Sequence, residues 1–96
     1  MGSISIELVG THQYVVVISG SDRGGRTTRH AVTVPGALLE DLGDAAADEA
    51  ALVRESFMFL LEREPASAIL KAFSLDVIST YFPEYVSEMR RRVGDG

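Results

Sequence analysis

The chain has no cysteine and no tryptophan, a single lysine, three prolines and two histidines in 96 residues. Without cysteine, disulfides and thiolate metal sites are excluded. No stretch approaches the ~20 consecutive apolar residues of a membrane span, so no membrane association is expected. The opening MGSISIELVG lacks the charged start and long apolar run of a signal peptide. Ile6 stands where a myristoylation pattern asks for serine or threonine. The expected location is therefore the cytoplasm. One lysine against eight arginines, with abundant Ala, Gly and Val, is a compositional hint of a GC-rich bacterial genome.

What is present fits one globular domain spanning residues 1–96. Hydrophobic residues make up 46% of the chain, too many for a disordered protein. A chain of this length buries somewhat over ~60% of its extended surface, a real but modest core. The net charge of −5 is unevenly spread. Residues 40–64 carry eight acids against two bases, while Arg23, Arg26 and Arg29 outweigh Glu7 and Asp22 in residues 1–39. An acidic protein is not built for nonspecific nucleic-acid binding, although a local basic ribbon could still serve.

The longest unbroken segment is Asp48 to Pro65, DEAALVRESFMFLLEREP. At 100° per residue, Val53, Phe57, Leu60, Leu61 and Glu64 share one face, with Leu52, Ser56 and Phe59 on a flank. Arg54, Glu55 and Glu62 form a narrow polar strip interrupted by Met58. A helix apolar over most of its circumference is contacted on several sides. It is either a core helix or a helix with one side, carrying Met58 and Phe59, turned to a partner. Asp44 or Asp48 can cap its start, and Pro65 ends it, because the residue before proline avoids the α region.

Before that helix, residues 3–34 read as three strands. Ser3–Val9 alternates, with Ile4, Ile6 and Leu8 on one face. Gly10-Thr11 reads as a two-residue turn. His12–Ser19 is apolar on both faces: Tyr14, Val16 and Ile18 on one, Val15 and Val17 on the other. Such a strand lies in the middle of a sheet or in an interface. The glycine-rich Gly20–Arg26 is a hairpin tip; it lacks the lysine and spacing of a phosphate-binding loop. Thr27–Val34 is the third strand, and short turns imply an antiparallel meander.

Residues 35–93 read as helical. Pro35 opens a short helix with Leu38, Leu39 and Leu42 apolar and Gly43 at its stop. Beyond the central helix, Pro65 starts another carrying Ile69, Leu70 and Phe73. Ser74 caps a further one with Leu75, Ile78, Tyr81 and Phe82. Pro83 begins the last, where Tyr85, Val86, Met89 and Val93 repeat at helical steps. Arg90, Arg91 and Arg92 fall in its final turn, where cations suit the negative dipole end.

Chemistry is sparse. Pairing about the loop centre sets His30 opposite residue 15 or 16 and His12 opposite 33 or 34, too far apart along the ladder to share a metal. Glu62 and Glu64 flank Arg63 and do not face one another. No serine has nucleophile-elbow context. An enzyme would need a pocket joining His12 or His30 to a carboxylate. No catalytic, cofactor or metal site is assigned.

Two resemblances attach to these residues. LVRESFMFLLEREP followed by YFPEY, within Leu52–Tyr85, resembles a group of short bacterial conserved hypothetical proteins with a β-rich start; the group lends class and not activity. Residues Arg29–Glu64, RHAVTVPGALLEDLG then LVRESFMFLLERE, resemble ribbon-helix-helix DNA-binding regulators and antitoxins. That resemblance implies that alternate residues of the basic strand enter the major groove. The chain departs from the pattern in its short first helix, in the acidic Asp44–Glu49 before the second, and in two extra strands. VTVPGALLEDLG is also similar to swapped-hairpin regulators of the AbrB type, without the strands that should follow.

The expected fold is thus α+β: a three-stranded antiparallel meander followed by four to five helices around one central helix, with Phe57, Leu60 and Leu61 innermost. The expected function is a non-catalytic interaction or regulatory module with a protein partner or a second copy, contacting it through Val15, Val17, Met58 and Phe59. The alternative is a DNA-binding regulator using Arg23, Arg26 and Arg29.

Overall fold

The computed structural model describes residues 3–20, 27–43 and 48–94. Strands β1 (Ser3–Gly10) and β2 (Gln13–Ser19) form a hairpin, and β3 (Thr28–Thr33) pairs antiparallel with β2. Helices α1 (Gly36–Leu42) and α2 (Glu49–Leu61) follow, then a short strand β4 (Ala72–Ser74) and helices α3 (Val77–Tyr81) and α4 (Tyr85–Gly94). The α+β class is as expected.

The sheet is four-stranded and mixed, in the order β1-β2-β3-β4, not a three-stranded meander. β4 lies parallel to β3, pairing Ala31 with Ala72 and Val32 with Phe73. Its residues fall where the sequence reading extends a helix from Pro65. Only a 3₁₀ turn, Ala66–Ala68, forms there. Three residues are too few to show a period of two, and backbone groups make this strand: Ala31 N–H donates to Lys71 O at 2.7 Å, and Leu75 N–H to Thr33 O at 3.0 Å. Ser74 therefore ends a strand instead of capping a helix, and α3 begins after Asp76.

The first hairpin turn is also displaced by one residue. Gly10 pairs with Gln13, so the turn is Thr11-His12, with His12 at φ 56°. The left-handed conformation falls on a histidine, which tolerates it better than a branched residue. A register shift between Leu8 and Gly10 accompanies it. Leu8, expected beside Ile4 and Ile6, is instead 64% exposed.

Helix α2 starts where Asp48, extended at φ −109°, accepts from Ala51 N–H through its side chain at 3.1 Å. That bond satisfies one of the first-turn donors, and Glu49 adds negative charge at the positive end of the dipole. The helix runs to Leu61, and Pro65 follows in extended conformation. Helix α1 follows an extended Pro35 and stops at Gly43, whose φ of 57° suits a residue without Cβ.

One core joins the two layers. Tyr14, Val16, Ile18 and Val32 from the sheet meet Leu52, Val53, Phe57, Phe59 and Leu60 of α2, with Leu75, Ile78, Tyr85 and Met89 closing it. Each large apolar side chain buried here is worth ~1.5–3 kcal/mol by transfer. Phe57 and Leu60 are central as expected; Leu61 only packs against the cluster, half-buried. His30 is buried in the same core. Its Nδ1 is 2.8 Å from Leu70 O, its Nε2 is 2.9 Å from Thr28 Oγ1, and its ring lies 5.4 Å from that of Phe57.

Candidate functional site

The side of the sheet opposite the helices contributes no residue to the buried core or to the apolar shell packed on it. Its composition follows from strand alternation, which sends every second residue there. The antiparallel register sets Glu7, Val15 and Ala31 in one row, continued by Ala72 across the parallel pair. The neighbouring row holds Ser5, Val17 and Arg29. Ser5, Glu7, Arg29, Ala31, Thr33 and Ala72 are exposed, while Val15 and Val17 are half-buried between their neighbours on β1 and β3. The result is a shallow face with two β-branched residues at its middle, flanked by the small Ser5 and Ala31 and by the charged Glu7 and Arg29.

Among the described residues of these two rows, charge stands at two opposite corners. Glu7 stands on edge strand β1 and Arg29 on β3, one row apart, with β2 between them. Neither has an oppositely charged side chain within 4 Å among the described residues. Val15, Val17 and Arg29 are expected contact residues from the sequence; Glu7 is not. The register supplies the missing signal, since Glu7 sits opposite Val15 once the hairpin is aligned.

The other expected contact residues separate. Met58 is 43% exposed, on an open trough of about 460 Å³ floored by Ile4, Ile18 and Leu61. Phe59 is fully buried and so unavailable to a partner. Its ring meets Phe82 and Tyr85 edge-on at 5.8 and 5.6 Å, and the Arg63 guanidinium lies 3.6 Å from its centroid. Helical arithmetic puts residues 58 and 59 only 100° apart, but α4 and Phe82 cover the Phe59 side. Arg23 and Arg26 lie outside the described residues. Arg29 is exposed on β3, whose two edges are both occupied, by β2 and β4.

The most chemistry-bearing cluster lies at the hairpin turn. His12 Nδ1 is 2.6 Å from Glu49 Oε2, and the Tyr14 phenol donates to Glu49 Oε1 at 3.2 Å. Burial, then the Glu49 carboxylate, push the Tyr14 phenol above its ordinary value. The pairing that an enzyme reading requires thus exists, but on an open groove walled by Leu8, Val9 and Ala50, where water has free access. The cluster fastens the β1–β2 turn to the first turn of α2. Local sequence does not show it, because Glu49 is 37 residues from His12. Among the described residues no group of three or more His, Asp or Glu side chains could hold a metal ion.

Elsewhere, an apolar pit of about 290 Å³ lies between the end of α2 and residues 68–82, lined by Leu60, Ile69, Leu70, Phe73, Ile78 and Tyr81. Tyr81 at its rim is 68% exposed. No helix among the described residues is long and apolar enough to cross a membrane. Comparison with protein-family models, curated proteins and solved structures finds no match.

Proposed function

We propose that the chain is a non-catalytic interaction module that self-associates through the uncovered face of its sheet. The observation carrying this reading is the burial pattern of β2. Tyr14, Val16 and Ile18 are buried beneath the helices, while Val15 and Val17 are half-buried and no core residue among the described ones packs over them. A central strand apolar on both faces is stable in water when both are covered. The described residues cover one.

The polar interior needs nothing from outside. Among the described residues every buried side-chain nitrogen or oxygen has a hydrogen-bond partner. On the sheet, the described residues leave the Val15 and Val17 side only half-covered, and a shallow face of this kind supports a surface contact. Light scattering over a range of concentrations tests this. The expected result is a mass approaching twice the 10.4 kDa of one chain. A 10.4 kDa species persisting to high concentration would refute self-association.

A further inference from the structure

Resting on that reading, we infer that the partner is a second copy of this chain, docked face to face about a two-fold axis that sets Glu7 of each copy against Arg29 of the other. Three features of the face fit this occupant. First, its two charges are opposite in sign and stand at diagonal corners around Val15 and Val17. A two-fold axis lying in the interface, perpendicular to the line joining those corners, exchanges them, so one operation makes two reciprocal ion pairs. Closed symmetry requires such self-complementarity of an isologous contact. The strands of the two sheets then cross at a large angle, toward the orthogonal class of sheet packing.

Second, besides the two charges, the cross-strand neighbours of the valines are small, Ala31 beside Val15 and Ser5 beside Val17, with Ala72 next to Ala31. Small side chains let two sheets approach to the ~10 Å of ordinary face-to-face packing. The valines of one copy then pack on the valines and alanines of the other. Third, the corner charges have no intramolecular counter-charge in reach among the described residues, so pairing across the interface breaks no existing ion pair. Electrostatic matching of this kind fixes orientation more than it adds affinity, and the apolar centre supplies the attraction.

Charge exchange tests the geometry. Glu7→Arg and Arg29→Glu are made singly and together, and self-association is followed by sedimentation velocity at low and moderate salt. Each single reversal turns two attractions into two repulsions and is expected to raise the dimer dissociation constant about tenfold to a hundredfold. The double exchange restores both pairs and is expected to return the constant to near the unmodified value. Circular dichroism of each variant checks that the sheet is intact. A dimer indifferent to both single reversals would overturn this docking while leaving self-association standing. Single reversals that weaken the dimer without rescue by the double exchange would overturn it equally. An unmodified chain that stays monomeric would remove the interaction reading itself.

Discussion

Ser56 and Tyr85 form a buried polar contact that joins α2 to α4, and its energetics are open to a double-mutant cycle. Ser56 donates to Leu52 O at 2.7 Å, so its single proton is committed. The Tyr85 phenol, 2.6 Å away, therefore donates to Ser56 Oγ. Both residues are fully buried, and Met89 Sδ lies 3.7 Å from the serine oxygen. Ser56→Ala leaves the phenol proton without a partner, which costs ~1–3 kcal/mol, partly offset by ~0.5 kcal/mol of helix propensity. Tyr85→Phe removes only a bond that the serine accepts, at a cost of ~0.5–1.5 kcal/mol. In the double variant no donor is stranded, so its loss should be close to that of Tyr85→Phe alone. Adding Tyr85→Phe to Ser56→Ala is thus expected to restore stability, with a coupling near 1 kcal/mol in urea unfolding. At ~4–8 °C per kcal/mol for a domain of this size, the coupling is also visible in thermal melts. Additive losses would refute the hydrogen-bond assignment.

The same phenol sets an alkaline limit. Burial raises Tyr85 to about 12, and the Ser56 bond only partly opposes it. In the unfolded chain tyrosine ionises near ~10. As pH rises through that interval the unfolded state loses a proton that the native state keeps, so stability falls. The full loss is about 3 kcal/mol once both values are passed. Tyr85→Phe should flatten this limb, leaving a smaller slope from Tyr14. An unchanged alkaline limb in the variant would contradict the burial of the phenol.

Further outcomes follow from other parts of the fold. Asp48→Ala removes the α2 cap and should cost about 1 kcal/mol in chemical unfolding, with Asp48→Asn losing far less. Hydrogen bonds from Arg92 hold Glu62 below the usual carboxylate range, and bonds from Arg91 and Arg92 do the same for Glu88. Their contribution is present above the unfolded carboxylate value and is lost as pH falls through the lowered one. Arg92→Gln should therefore narrow the difference in stability between neutral and acid pH, and an acid limb unaltered in the variant would argue against the network. Replacing Arg26 and Arg29 by alanine should leave retention of DNA at moderate salt at background, as in the unmodified chain. A salt-dependent affinity abolished by that replacement would favour the ribbon-helix-helix resemblance instead.

Much of this fold is written in local pattern. The alternation in Gln13–Ser19 separates Tyr14, Val16 and Ile18 from Val15 and Val17, and Asp48, one of two candidate caps, starts α2, which ends at Leu61, short of Pro65. Pairing about the loop sets His30 opposite residue 15 or 16, and the register gives Val16. What escapes are features made by backbone or by distance. β4 is three residues long and is recruited by β3 across the chain, with no periodicity of its own. The turn at Thr11-His12 depends on a left-handed histidine that residue preference does not single out from Gly10. Phe59 and Met58 look alike in sequence, and only the position of α4 buries one and leaves the other partly exposed. At the candidate face, Val15 and Val17 were legible because they break the polar alternation expected of an outer strand face. Glu7 was not, since a single acid on an edge strand reads as ordinary solvation until its row is known.

The most direct trial of the account is the solution mass of Val15→Glu with Val17→Glu, beside that of the unmodified chain. Both positions lie outside the buried core, so the fold should persist and circular dichroism should be unchanged. Four carboxylates brought together at a two-fold contact would not tolerate docking. The account predicts a dimer for the unmodified chain and a 10.4 kDa monomer for the variant. A folded variant that remains dimeric would show that the uncovered sheet face is not where this chain meets its partner.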